Sequence, residues 1–449
     1  MKQPSIFQHP GLRTFLWVWF GQFVSMFGTA MTRFSLIIWA YQQTGSATTL
    51  ALLGTANYVP YLLISPFAGV LVDRWDRRVV LFVSDLLSGL VTALLLGLYM
   101  TQQLQIWHLY LAEALTGAFD AFQVPAYYAS VSVLVPRDQL DRTNGLRMLA
   151  RNASSVFAPL TAGALLAWLG IATIMTIDLV TFLFSATVLI AVAIPRPAQS
   201  AEGQAGSGRF FDELRSGITW IFQRPGLRGL MLVLFGMNTL ASLTYFSILP
   251  ALILSRSGGD EWSLGMVQAV LGGGGVLGAL LMTTWGGPKK RIHSVLMGGA
   301  LSFLMGDMLF GLGQSLPVWL AAAFFSTVTI PFISGGAQSI WQLKVPHDLQ
   351  GRVFSVKDTL QQVVMPFGYA AGGLLADYVF EPAMRAGSPF SAAMSRVVGS
   401  GPGSGIAAMF LFTCAVGTLM CLAGYLSRAT RDVEQDLPDI AHANSPVID

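Results

Sequence analysis

Arg33, Glu113, Asp120 and Asp178 stand inside otherwise apolar stretches of this chain. A charge at the centre of a membrane helix costs ~2.5–3.5 kcal/mol or more unless it is paired or wetted, so such residues mark ion and proton pathways. A carboxylate beside an arginine suits reversible proton binding, because the pair holds while the acid is charged and weakens when it is protonated. Glu113 and Asp120 lie seven residues apart, on one helix face and separated by ~10 Å along the axis. That spacing suits a two-acid proton relay with Arg33 as partner of the first acid. Asp178 is a third candidate. The competing reading is a buried structural salt bridge from Arg33 to Glu113 or to Asp178. The five histidines are dispersed and show no metal-ligand spacing, so no metal and no cofactor are expected.

The elements that must hold these charges are membrane helices. The chain is 53% hydrophobic and 11% charged with a mean hydropathy of +0.60, which excludes an ordinary soluble protein and a disordered one. A hydrocarbon core of ~30 Å needs ~20 apolar residues per helix. Twelve such runs are predicted, at 14–40, 48–72, 79–100, 105–131, 144–168, 171–194, 227–254, 263–285, 292–313, 317–343, 353–378 and 406–427. They lack strand-like alternation, so helices are favoured over a β-barrel. Counted from the helix ends, Arg33, Glu113 and Asp178 fall at one depth, ~10–12 Å below the outer surface. Placing both termini in the cytoplasm leaves only Arg256, Arg385 and Arg396 outside and Arg33 within a span, out of 26 Lys and Arg. The positive-inside rule thus sets the orientation of a multi-pass membrane protein with both termini in the cytoplasm. The basic bias has no further meaning, and nucleic acid is not an expected partner. The first span is too long for a signal peptide and lacks a following small-residue cleavage site, so it is kept as structure. Cys414 and Cys421 share one helix and are expected to be packing residues.

The chain also nearly repeats itself. Pro10-Gly11-Leu12-Arg13 recurs as Pro225-Gly226-Leu227-Arg228, and Val135-Pro136-x-Asp138 recurs as Val345-Pro346-x-Asp348. Two homologous membrane half-bundles follow from this: residues 1–194 and 227–427, joined by a cytoplasmic linker at 195–226, with a cytoplasmic tail at 428–449. Within the linker, Phe211, Leu214, Ile218 and Ile221 recur at helical spacing opposite Asp212, Glu213 and Arg215, which predicts a short amphipathic helix on the membrane surface. The glycine-rich run 399–405 in the outer loop 379–405 lacks a following Lys-Ser/Thr and reads as a flexible linker rather than a nucleotide loop.

The loop after the second span runs Gly69-Val-Leu71-Val-Asp73-Arg74-Trp-Asp76-Arg77-Arg78. It resembles the Gly-x-Leu-x-Asp-Arg-x-Gly-Arg-Arg/Lys signature of the major facilitator superfamily, with Asp76 where the family usually has Gly. The resemblance implies a conformational latch built from Gly69, Asp73, Arg74, Arg77 and Arg78. The matching loop of the second half, Gly286-Gly287-Pro288-Lys289-Lys290-Arg291, keeps the basic cluster and lacks the acid. Ala158-Pro159-Leu-Thr-Ala162-Gly163 is similar to the Gly-Pro-x-x-Gly-Gly element of proton-coupled drug exporters, with two of its glycines replaced by alanine. Pro159 and Gly163 are accordingly a kink and packing element, with or without a transport role. Glu113-x-x-x-Gly117 aligns with an Arg-x-x-x-Gly element frequent in span four of the superfamily, so an acid replaces the usual arginine. Thr44-Gly45-Ser46, Asn144-Gly145-Leu146 and Gly351-Arg352-Val353-Phe354 extend the likeness over roughly 10–430, to the twelve-span branch that includes macrolide-efflux and enterobactin exporters.

This resemblance implies an all-α fold of two pseudo-symmetric six-helix bundles that rock about a site near the bilayer midplane. It also implies a monomer that exchanges protons for a small-molecule substrate across the lipid bilayer. Asp85 and Asp307 fall on spans three and nine, which usually face away from the cavity, so structural roles are expected for them. Phe23, Phe27, Tyr128, Asn238, Tyr245, Gln338 and Trp341 are the substrate-cavity candidates, an apolar and aromatic set that suits bulky amphipathic compounds. The expected function is proton-coupled export of a hydrophobic or amphipathic compound such as a drug, a macrolide or a siderophore-like metabolite. Metabolite uptake by proton symport is the alternative, and a non-transporting receptor or membrane enzyme a remote one.

Overall fold

In the computed structural model, residues 10–135, 140–192, 218–346, 349–385 and 389–437 are described. Within them, the side chains of 10, 69, 70, 73, 74, 128, 129, 131–133, 140–142, 144, 350–352 and 355 lie outside the described set. The expected latch residues Gly69, Asp73 and Arg74 and the cavity candidate Tyr128 are therefore placed by backbone alone. The expected surface helix at 210–222 lies outside the described residues up to 217.

The first helices are α1 (Pro10–Thr44), α2 (Ala47–Arg74), α3 (Arg77–Met100), α4 (Ile106–Leu134) and α5 (Leu140–Ala191). After them come α6 (Pro225–Leu243), α7 (Leu249–Ser257), α8 (Glu261–Trp285), α9 (Arg291–Leu301), α10 (Met308–Leu312), α11 (Leu316–Val328), α12 (Ile330–Lys344) and α13 (Gln350–Leu375). The chain ends in the short α14 (Glu381–Ala383), then α15 (Pro389–Val398), α16 (Ser404–Leu426), α17 (Arg428–Arg431) and α18 (Val433–Asp436). π-Helical turns join α9 to α10 at Ser302–Asp307 and α13 to α14 at Ala376–Phe380.

Ten helices among the described residues are long and apolar enough to cross a membrane. One of them, Gly145–Ala191, is 47 residues long and turns at Gly170 (φ 70°), where a side chain would be strained, so it makes two passes. α4 has the length of a pass and is less apolar, because it carries His108, Glu113, Asp120 and Gln123. With that turn and α4, all twelve expected passes are present.

Local signals set several boundaries. Ser46 caps α2 by accepting the Thr49 amide at 3.2 Å, and Asp76 caps α3 by accepting the Arg78 amide at 3.0 Å. The seventh pass departs from its predicted continuous run. It breaks between Leu243 and Leu249, where the Thr244 carbonyl collects the amides of Ser247, Ile248 and Leu249. The 399–405 segment is likewise ordered rather than a free linker. Gly399, Gly401 and Gly403 take φ of 83°, 110° and 77°, a left-handed series that only glycine adopts without strain, and Glu381 Oε1 accepts the amides of Gly405 and Ile406.

The chain resolves into two compact units. The first comprises residues 1–199 and 253–269, the second 200–252 and 270–449. In the first, a core of Val18, Val72, Val80, Leu81, Ala126 and Leu189 joins α1 to α5. In the second, Leu227, Leu230, Ile292, Val295, Ile340, Trp341 and Val353 form the main core. Ile221, from the end of the expected surface helix, is fully buried in that core, and Arg224 stacks on Trp220 at 3.8 Å. Burial of Ile221 makes this end of the linker part of the unit. The same holds for the start of the expected tail, where Val433 is fully buried.

Candidate functional site

α1 and α4 run antiparallel in the first unit and meet at two polar rungs. At the first, Arg33 Nη2 lies 2.7 Å from Glu113 Oε2. The Arg33 side chain is 43% exposed and that of Glu113 15%, so the pair is open on the arginine side. Asn57 of α2 donates to the Glu113 carbonyl at 3.2 Å. One turn on, a Cβ at Gly117 would sit 1.9 Å from the Asn57 carbonyl oxygen, so only glycine lets α2 and α4 approach this closely.

The second rung lies eleven residues away on α1 and ten on α4, ~15 Å along both helices. There Gln123 donates to Gln22 Oε1 at 3.3 Å. Both amides converge on Asp85 of α3: Gln22 donates to Oδ2 at 2.6 Å and Gln123 to Oδ1. Ser185 of α5 adds a third donor at 3.4 Å. Between the rungs stands Asp120, which has no hydrogen-bond or ion-pair partner among the described residues and senses the charges of Arg33 and Glu113. Arg33, Glu113, Asp120 and Asp85 thus form one string of ionisable groups. Along such a string a proton can move between carboxylates while an arginine compensates the charge.

Gln22 and Gln123 were not read as site residues from sequence. Their signal is positional: Gln22 lies three helical turns before Arg33 and Gln123 three residues beyond Asp120, so each shares a face with a charge. Asp178 is elsewhere. It is buried against α1 and α3, accepts Thr29 at 3.0 Å and Thr92 at 3.3 Å, and makes no ion pair with Arg33.

Arg78, expected in the latch, donates through Nε to the Leu189 carbonyl at 2.8 Å and through Nη2 to that of Ile190. It compensates the carbonyl end of α5 within its own unit. Gly163 faces the start of α8, which groups with the first unit. A Cβ on Gly163 would lie 2.9 Å from the Glu261 carbonyl oxygen, and one on Gly265 2.8 Å from that of Pro159. The kink and packing element is therefore a close crossing of two helix backbones.

The cavity candidates separate. Trp19, Phe23 and Phe27 form a partly exposed aromatic ladder on α1, with ring centroids 5.9 and 6.4 Å apart. Asn238 bonds back to the Leu234 carbonyl of its own helix at 3.0 Å. Gln338 accepts from Lys357 Nζ at 2.9 Å, a buried lysine that sequence reading passed over because it stands next to Asp358 near a helix start. Trp341 is fully enclosed in the core of the second unit and lines no accessible surface, a correction that follows from its packing against Ile340 and Val345. The Tyr245 hydroxyl turns inward to Asp307.

A profile of the Major Facilitator Superfamily matches residues 18–369. The chain belongs to the major facilitator superfamily. This superfamily member is 27% identical over 373 residues to macrolide efflux protein A of Streptococcus pyogenes, covering 81% of this chain and 90% of that one. It is 24% identical to the multidrug efflux pump Tap of Mycobacterium bovis, covering 75% of this chain and 80% of that one. Among solved structures, a bacterial homologue of the human lysosomal transporter Spinster superposes with a TM-score of 0.64 at 15% identity, covering 94% of this chain and 98% of that one. The nucleoside transporter NupG, as a D323A mutant, superposes with 0.66 at 10% identity, covering 91% and 98%. At such identities these structures establish the fold. This superfamily member is a multi-pass membrane transporter and not an enzyme.

Proposed function

We propose that this superfamily member is a proton-coupled exporter of hydrophobic or amphipathic compounds, such as a drug, a macrolide or a siderophore-like metabolite. It works by alternating access in a bacterial plasma membrane, with both termini cytoplasmic. The observation that carries the proposal is the Arg33–Glu113 pair at 2.7 Å, heading a ladder that continues to Asp120, which senses both charges. While Glu113 is ionised, its attraction to Arg33 ties α1 to α4. A proton taken up on the Glu113 carboxylate removes that attraction, and Asp120, one step along the same face, receives the proton next. The partly exposed Trp19–Phe23–Phe27 ladder lies on the helix that carries Arg33, so loosening the pair acts on the element that offers the aromatic surface. Relatives named for macrolide efflux and for multidrug efflux support the substrate class and the direction.

The experiment is transport of a labelled macrolide and of a fluorescent amphipathic drug in proteoliposomes under an imposed pH gradient. Wild-type protein is expected to move the compound against the proton flow. Glu113→Gln is expected to lose the gradient-dependent component and retain exchange at equal pH. Full gradient-driven transport in Glu113→Gln would sink the relay. Accumulation rather than extrusion, in cells stripped of their own exporters, would instead favour symport.

A further inference from the structure

The second unit holds a carboxyl that the ladder does not use. Asp307 is fully buried at the end of the π-helical turn Ser302–Asp307. Both of its oxygens are engaged, and only by hydroxyls: Tyr245 donates to Oδ1, and Thr413 of α16 donates to Oδ2 at 2.6 Å. The groups that face it from the surrounding elements are Tyr245 from the seventh pass, Ser326 from α11, and Thr413 and the Cys414 thiol from α16. Among the described residues no Arg, Lys or His pairs with it. The rest of the surround is aromatic, with Tyr245, Phe310 and Phe410 packed at 5.3–5.8 Å between centroids.

An ionised carboxylate in such a place meets a desolvation penalty that two neutral hydroxyl donors offset only in part. The charged and the protonated forms are therefore both within reach, unlike those of a carboxylate locked by a guanidinium. Tyr245 decides what this means for the fold, because it sits in the 244–248 interruption between α6 and α7. That break is pressed by α13. A Cβ at Gly368 would meet Ser242 Oγ at 1.7 Å, and one at Gly372 would meet the Leu243 carbonyl oxygen at 2.3 Å and Ser247 Oγ at 2.4 Å. Tyr245 thus ties the break to the buried acid, its ring packed on the fully buried Phe310 and Phe410 and its hydroxyl on Asp307.

We propose that Asp307 is a second proton-binding site, built into the second unit at the break of the seventh pass and separate from the Arg33–Glu113 ladder. A proton that binds Asp307 at Oδ2 removes the charge that Tyr245 and Thr413 both stabilise, which weakens the hydrogen bond from the Tyr245 hydroxyl and with it one constraint on the 244–248 turn. Its use in transport rests on the proton-coupled reading above; the site itself does not.

The test reads the proton directly. Purified full-length protein in lipid nanodiscs is stepped in pH while infrared difference spectra follow the C=O stretch of protonated carboxyl groups. A band gained on acidification is expected in wild type, lost in Asp307→Asn and retained in Glu113→Gln. Tyr245→Phe is expected to move it to higher frequency, since the acid loses a hydrogen-bond donor. A difference spectrum unchanged by Asp307→Asn, or the absence of any titrating band in wild type, overturns the proposal. If Asp307→Asn fails to give monodisperse protein, Asp307→Glu takes its place: a band at altered frequency supports the site, and an unaltered spectrum overturns it. Loss of gradient-driven transport in Glu113→Gln with the Asp307 band intact, or the reverse, separates the two sites.

Discussion

Glu434 reaches back 142 residues to accept the amide of Ile292 at 2.9 Å, and so caps the helix that opens the ninth pass. Arg291 pairs with the same carboxylate at 3.5 Å. In the first half, the equivalent cap is local: Asp76 accepts the amide of Arg78 at 3.0 Å. The basic loop 286–291 has lost its own acid, and the segment after the last pass supplies one. Lys344 fastens that segment by donating to the carbonyls of Glu434 and Leu437.

Glu434→Ala is expected to destabilise the protein by the worth of a helix cap, ~0.5–2 kcal/mol. Glu434→Gln keeps an acceptor oxygen and is expected to lose less. The thermal unfolding midpoints of the two variants in detergent measure the difference, and equal midpoints for wild type and Glu434→Ala would remove Glu434 as a cap.

Gly117→Ala sets two effects against each other. Alanine gains ~1 kcal/mol of helix propensity, while its Cβ would lie 1.9 Å from the Asn57 backbone oxygen. Because that neighbour is backbone, the strain is not relieved by a rotamer change, and overpacking of ~1–3 kcal/mol prevails. The variant is expected to have a lower unfolding midpoint than wild type; a higher one would mean that α2 and α4 are free to part.

Asp85→Asn keeps the shape of the side chain and leaves one carbonyl oxygen where Gln22, Gln123 and Ser185 all donate. At least one donor loses its partner, at ~1–3 kcal/mol. The expected outcome is a destabilised protein in which Asp85→Asn and Gln22→Leu are non-additive, checked by a double-mutant cycle on unfolding midpoints.

For Arg33 and Glu113, the arginine is 43% exposed, so the pair is worth less than a fully buried one. Arg33→Gln and Glu113→Gln are expected to be coupled by ~1 kcal/mol, the double variant losing less than the sum of the singles. A coupling of zero would make the 2.7 Å contact energetically idle.

Much of the site was legible because charge is rare in this chain. Arg33, Glu113 and Asp120 are among the few charges in apolar helices, so helical spacing was enough to suggest that Arg33 would meet Glu113, and the two lie 2.7 Å apart. The lower rung escaped because Gln22 and Gln123 are neutral amides, common enough in membrane helices to carry no signal until Asp85 is seen between them. Trp341 proved a core residue for a related reason: an aromatic residue on a candidate lining span is equally suited to a core, and only the neighbouring helices decide which way it points.

By itself the sequence determined the number of passes, the duplication and the positions of the membrane-embedded charges. Each of these follows from hydrophobicity, helical period and the cost of burying a charge, which act along a single segment. The tertiary structure alone decided the partners. It brought Gln22, Asp85, Gln123 and Ser185 to one point, sent Glu434 to Ile292, and broke the seventh pass beside Asp307. Those contacts join residues tens to hundreds of positions apart, and the packing of helix on helix selects among many pairings that composition permits equally.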